Sequence, residues 1–265
     1  PTWFEIQEQR FSPASGTTIC GYAYGHDVQR IDTDTVRSLY DESFTLGAEA
    51  RPGTSGSPIF YADGDDAIAT AVLINDRDEY RPSSAPRQNV GCRITESKLQ
   101  WIRNNAGSQG VRVAAQGVSR GLDALQRPTI DWFGSDFVPS LRRWMAWAER
   151  TERFESNPVQ NTDAFPFNAI CKIETASGSL GTGFFIGPHT ILTAAHVVLT
   201  TGTTKETHLD ILQGLNNNRS SIRRVRVTSA NYEAHGSYNP SSAGSNDWDM
   251  AIIRFDEYAS PTWFQ

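Results

Sequence analysis

The chain has 265 residues, 38% of them hydrophobic and 20% charged, which is the composition of a globular protein with room for two modest domains. A formal net charge of −6 argues against nucleic acid as the main partner, and no apolar run approaches the length of a membrane span, so no membrane partner is expected either. The three cysteines, Cys20, Cys92 and Cys171, have neither metal-ligand spacing nor the density of a disulfide framework; a Cys20–Cys92 bridge and three buried free thiols both fit. No signal peptide is visible, and a start at Pro1 rather than Met is compatible with removal of an upstream segment.

In chain order, residues 1–92 predict β-structure. Short apolar runs alternate with turn signals: Thr17–Tyr22, Ser43–Leu46, Pro58–Tyr61, then an Asp63-Gly64 hairpin turn and a returning strand over Ala67–Asn75. Strands at this spacing suggest a barrel or sandwich. Arg93–Asn105 reads as a helix, opened by Thr95-Glu96-Ser97-Lys98 and followed by Gly107. Residues 107–165 differ. A short helix is predicted over Val118–Gln126 and a longer amphipathic one over Pro139–Arg153, with Leu141, Trp144, Met145 and Ala148 on one face. A short helix of mixed charge reads as a connector packed across two domains rather than a membrane-surface element. Residues 166–258 return to β: Phe167–Glu174, a hairpin of Gly181–Gly187 with Thr190–Thr193, Val225–Val227 and Met250–Phe255. The expected organisation is thus a β-domain over 1–106, a partly helical connector over 107–165, a second β-domain over 166–258 and a remnant over 259–265.

Three stretches carry chemistry. In Arg51-Pro52-Gly53-Thr54-Ser55-Gly56-Ser57-Pro58 a serine sits among small residues before an apolar strand. Glycines there permit backbone angles closed to other residues and allow close approach of a substrate carbonyl. A nucleophilic serine needs an exposed hydroxyl with N–H groups beside it for an oxyanion, here those of Gly53 and Ser55. Alone, the motif is also an ordinary turn, because the serine needs a base and the base an orienting acid. Ile191-Leu192-Thr193-Ala194-Ala195-His196 supplies a histidine after a strand, with two alanines leaving space around the ring. His26, His189, His208 and His235 lack such a setting and read as surface residues. In Asn246-Asp247-Trp248-Asp249-Met250-Ala251-Ile252-Ile253, Asp249 heads an apolar strand, where a carboxylate needs partners; local features admit Asp247 equally.

Together these stretches resemble the chymotrypsin-like serine proteases, most closely the bacterial glutamyl-endopeptidase type. Gly181-Thr182-Gly183-Phe184 with Leu192–His196 is similar to that family's histidine motif, Asp249–Ile253 to its aspartate motif, and Gly53–Pro58 to its serine motif. Cys20-Gly21-Tyr22 and the 93–105 helix also match. The resemblance implies two six-stranded antiparallel β-barrels, a Ser55–His196–Asp249 triad and peptide or protein substrates. It implies no metal or organic cofactor, and favours a secreted or periplasmic protein. Thr54 stands where zymogen-activated members carry Asp, so some other means must shape the oxyanion hole. Glu49, six residues before Ser55, matches the floor of the primary specificity pocket in trypsin-like members and would select Arg or Lys; pairing with Arg51 or exposure to solvent fits equally. The 67–75 strand lacks the histidine expected of a glutamate-specific member, so that specificity is not carried over.

The family order is His, Asp, Ser, whereas here it is Ser55, His196, Asp249. Cutting the family chain between its barrels and joining the old ends through 107–165 gives this sequence, a circular permutation. Pro1-Thr2-Trp3-Phe4 reappears as Pro261-Thr262-Trp263-Phe264, which fits either a permutation seam or one period of a tandem array. In an array, the site would form from lobes paired between chains; pairing within one chain is the reading preferred here. An α/β-hydrolase is set aside, because Ser57 replaces the last glycine of its elbow, strand rather than helix follows, and His196 precedes Asp249. A catalytically silent or latent protease-like binding module, blocked by the 107–165 connector, is the alternative of another class.

Overall fold

Seven strands make the first lobe: β1 (Glu5–Ile6), β2 (Gly16–Tyr22), β3 (Gln29–Leu39), β4 (Ser43–Leu46), β5 (Pro58–Asp63), β6 (Asp66–Ile74) and β7 (Asn89–Arg93). The computed structural model describes residues 3–8, 16–24, 26–48, 50–63, 66–74, 89–106, 111, 157–159, 161–201, 203–216, 223–241 and 245–255. The helices predicted over 118–126 and 139–153, the Asp63-Gly64 turn's glycine and the second Pro-Thr-Trp-Phe segment lie outside the described residues. The hydrogen-bonded order β5-β2-β3-β4-β7-β6 closes on itself because β6 pairs with both β5 and β7, giving a six-stranded antiparallel barrel. β1 adds to β6 in parallel, and β8 (Asn157–Pro158) adds to β3.

Side chains alternate across each strand, and the alternation decides what fills the barrel. Ile19, Ile59, Ala71 and Leu73 point inward with Val36, Phe44 and Leu46. Their neighbours Cys20, Phe60, Val72 and Ile74 point outward into a second cluster shared with the other lobe. Helix α1 (Glu96–Asn105) follows the last barrel strand. It starts three residues later than the sequence predicts, because Arg93 still belongs to β7. Leu99 and Ile102 are its buried anchors. Lys98 is fully buried as well, its ammonium paired with Glu42 at 2.9 Å and lying over the Trp248 ring.

The second lobe contains β9 (Ile170–Thr175), β10 (Leu180–Gly187), β11 (Thr190–Thr193), the short helix α2 (Ala195–Val198), β12 (Leu199–Thr201), β13 (Thr204–Lys205), β14 (His208–Gln213), β15 (Arg223–Thr228), β16 (Tyr232–Ala234) and β17 (Ala251–Arg254). Its main sheet runs β15-β14-β9-β10-β11-β17-β16 and curls into a half-barrel. The molecule is mainly β, consistent with a chymotrypsin-like double barrel.

The lobes meet through apolar and polar groups. Phe4 is wedged between them, edge-on to Phe60 at 5.1 Å and to Phe184 at 5.4 Å, with its N–H donating to Phe185 O. Such aromatic pairs contribute about 0.5–1.5 kcal/mol each beyond burial. The buried Gln29 amide donates to Tyr22 Oη at 2.7 Å and to Phe167 O at 2.8 Å, and Tyr22 in turn donates to Leu215 O. The sequence leaves a Cys20–Cys92 bridge open; the structure corrects it, because all three cysteines are free and buried. Cys20 lies on β2 and Cys92 on β7, which are not neighbours in the barrel. Burial pushes all three thiols up, Cys92 to about 12, so they stay protonated and inert at neutral pH.

Candidate active site

The turn between β4 and β5 is built from its backbone. Thr54 N–H donates to Arg51 O at 3.0 Å, Tyr24 N–H to Pro52 O at 2.6 Å, Ser57 N–H to Thr54 O at 3.0 Å, and Gly56 N–H to Leu73 O at 2.8 Å. Gly53 has φ +95° and Gly56 has φ +89°, the left-handed region that favours glycine. Space demands glycine as well. A Cβ on Gly53 would lie 2.6 Å from Tyr24 N, and one on Gly56 2.0 Å from Thr182 O. Among the described residues, the N–H groups of Gly53 and Ser55 donate to no carbonyl. In a planar trans peptide the N–H points opposite the C=O. Pro52 O is held by Tyr24, so Gly53 N–H is turned away from β2.

His196 sits in the first turn of α2, immediately after β11. Ala194 and Ala195 before it are fully buried, where close packing favours small side chains. Asp249 stands two residues before β17, the antiparallel partner of β11. Pairing of these strands therefore brings His196 and Asp249 together. Asp249 Oδ1 accepts from the His196 main-chain N–H at 2.9 Å, and Oδ2 lies 2.6 Å from Nδ1. A carboxylate facing a ring nitrogen accepts, so Nδ1 is the donor in this contact. The Asp249 side chain is 4% exposed and the His196 side chain 28% exposed, so the acid is buried while the ring reaches the surface. The two donors give the buried carboxylate the partners it requires. Of Asp247 and Asp249, both open in the sequence, Asp249 is the one that meets His196, while the Asp247 carbonyl accepts from Cys92 Sγ at 3.4 Å.

Ser55 belongs to the other lobe, yet its turn is tied to the same sheet. Thr182 N–H on β10 donates to Ser55 O at 2.8 Å, and Thr182 Oγ1 donates to Gly53 O at 3.1 Å. Thr182 O accepts from Thr193 Oγ1 at 2.7 Å, three residues before His196. Thr182 therefore links the Ser55 turn to the second lobe, a contact with no local signature. The available hint is a threonine between two glycines on a strand where glycines mark close backbone approach. Glu49 lies outside the described residues.

Another reading of the sequence is corrected here. His235 is half-buried rather than freely exposed. Its ring stacks on Trp248 at 4.8 Å and packs against Trp101 at 4.9 Å, so it helps hold the loop that carries Asp249. Burial and the neighbouring Lys98 ammonium lower its pKa.

Residues 156–262 match the trypsin family model. The match supports a chymotrypsin/trypsin-like serine protease family. It covers the second lobe, which contains His196 and Asp249, whereas Ser55 lies before it. Comparison with curated proteins returns no match. Among the described residues, no group of three or more His, Cys, Asp or Glu side chains is placed to hold a metal ion, and no helix is long and apolar enough to cross a membrane.

Proposed function

We propose that the chain is a serine endopeptidase that hydrolyses peptide bonds through an acyl-enzyme. The observation that carries this reading is the doubly bonded His196–Asp249 pair, which fixes the imidazole with Nδ1 toward a buried acid in a lobe matched by the trypsin family model. Ser55 Oγ attacks the scissile carbonyl while His196 Nε2 takes its proton. Asp249 stabilises the imidazolium that forms. The N–H groups of Gly53 and Ser55 receive the oxyanion. His196 then protonates the leaving amine, and water repeats the sequence to release the acid and regenerate Ser55. The substrates are peptides or proteins.

The motif order follows from a circular permutation of the glutamyl-endopeptidase-type chain, with the site assembled inside one chain. Support comes from the hydrogen bonds that join the Ser55 turn to Thr182 of the other lobe. Glu49 is the proposed pocket group for Arg or Lys before the cut, which a peptide panel varied at that position reads directly.

The test of the reaction class is Ser55→Ala on a peptide substrate. Turnover falls by at least about 10⁴-fold, as for loss of a serine nucleophile elsewhere, while the melting temperature is kept. A folded variant with unchanged turnover refutes the assignment.

A further inference from the structure

The hydrolase reading needs the Gly53 and Ser55 N–H groups to point at the oxyanion before substrate arrives. Thr54 is uncharged, so no ion pair made by that side chain sets the turn. In a planar trans peptide each N–H points opposite the C=O of the residue before it. The direction of Gly53 N–H therefore follows from what holds Pro52 O, and that of Ser55 N–H from what holds Thr54 O.

Both carbonyls are held from within the lobe that carries Ser55. Pro52 O accepts from Tyr24 N–H, just after β2. Thr54 O accepts twice from one residue, from Ser57 N–H at 3.0 Å and from the Ser57 hydroxyl at 2.6 Å. The first bond closes a four-residue turn, Thr54–Ser57, whose third residue Gly56 has φ +89°, the sign a type II turn requires there. Roughly a third to a half of such four-residue turns lack the closing bond, so one N–H is a weak hold on the plane. The hydroxyl makes the shorter bond, and its residue is itself fixed. Ser57 is buried, its O accepts from Leu73 N–H at 2.9 Å, and the preceding Gly56 N–H donates to Leu73 O at 2.8 Å, so this stretch is pinned to β6. Facing the hydroxyl, on β2, is Gly21. A Cβ there would lie 1.9 Å from Ser57 Oγ, so the glycine leaves the space in which the hydroxyl sits.

We infer that the Ser57 hydroxyl holds the Ser55 N–H in its oxyanion-binding direction and that Gly21 makes room for it. Both act through Thr54 O and are positioning residues, and the inference rests on the hydrolase reading above. It makes this donor a property of the nucleophile's own barrel: β6 fixes Ser57, Ser57 fixes Thr54 O, and Thr54 O fixes the N–H behind it.

The test compares Ser57→Ala, Gly21→Ala and the double variant with the parent chain. In Ser57→Ala, kcat falls on the order of tenfold. That is less than the roughly 10²–10³ lost with an oxyanion donor outright, because Ser57 N–H still holds Thr54 O. KM for the same peptide moves by no more than about threefold, because ground-state contacts are kept. Affinity for a peptide boronic acid, which forms a tetrahedral adduct, falls in parallel with kcat/KM. Gly21→Ala keeps the hydroxyl but drives it off Thr54 O, since a serine Oγ gives way more easily than backbone, and shows the same split. In the double variant the methyl has no hydroxyl to displace, so the two losses do not multiply. A folded Ser57→Ala or a folded Gly21→Ala with parental kcat and boronate affinity overturns the inference, as does a double variant whose loss is the product of the single ones. If the parent chain itself has no turnover and Ser55→Ala changes nothing, the hydrolase reading fails instead. The crystal structure of Ser57→Ala then still decides the contact: a rotated Thr54 carbonyl upholds it, an unmoved one overturns it.

Discussion

Replacing Asp249 with Asn keeps the shape of the side chain and changes what it can accept. The carboxylate uses each oxygen once, Oδ1 for the His196 main-chain N–H at 2.9 Å and Oδ2 for Nδ1 at 2.6 Å. Asn offers one acceptor and one donor in the same places. If its NH₂ faces the main-chain N–H, two donors oppose each other, at about 1–3 kcal/mol for the unsatisfied buried group. If it faces Nδ1, the ring shifts its proton to Nε2 and the conflict disappears. The main chain cannot change its proton and the ring can, so the second arrangement is favoured. Nε2 then donates and can no longer take a proton from Ser55. Loss of the working tautomer in a Ser-His-Asp site is on the order of 10⁴ in kcat, equivalent to about 5.4 kcal/mol of barrier at 1.36 kcal/mol per decade. The assay is steady-state hydrolysis of one peptide by the parent and Asp249→Asn chains, with urea unfolding alongside. The variant should fold with a stability loss below about 2 kcal/mol, because one carboxylate hydrogen bond is replaced rather than deleted. A folded Asp249→Asn chain with kcat within about tenfold of the parent would refute the tautomer argument.

Gly53→Ala puts a Cβ 2.6 Å from Tyr24 N at φ +95°; the left-handed backbone alone costs about 1–3 kcal/mol, and turnover should fall with stability, so urea unfolding that matches the parent would contradict the turn geometry. His235, held neutral by burial and by Lys98, resists protonation in the folded chain while its unfolded counterpart protonates near 6.5. The unfolded state therefore binds more protons as pH falls, and stability from this residue is full above about pH 6.5 and declines below it. Glu42, which acts in the opposite direction, moderates the effect. His235→Gln should flatten the dependence of urea unfolding on pH between about 7 and 5.5; an unchanged slope would exclude His235 as its source.

Much of the fold is written in local pattern. The β10–β11 hairpin and the β5–β6 pair were legible because their strands are strongly apolar and bounded by glycine, proline or aspartate. His196 and Ser55 stand out because small residues surround both. β3 was not legible: eleven residues rich in Asp, Thr and Arg form a barrel strand whose side chains are mostly outside the core. Its membership comes from pairing with β2 and β4, a tertiary fact rather than a propensity. The choice of Asp249 over Asp247 rests on the register of β17 against β11, which places residue 249 beside the start of α2. The link made by Thr182 is not legible in local sequence because its partners, Tyr22, Gly53 and Ser55, are more than a hundred positions away. His235 escaped because its packing depends on Trp101, a residue of the first lobe.

The central claim is that Ser55 is an activated nucleophile whose site is built within one chain. Treating the purified protein with a fluorophosphonate probe and mapping the adduct by mass spectrometry tests it most directly, since the probe captures a serine served by a working base and oxyanion hole. The account predicts label on Ser55, with equal yield per chain across serial dilution. Labelling that falls on dilution would contradict assembly within one chain, and the absence of label on Ser55 at every concentration would contradict the activated serine itself.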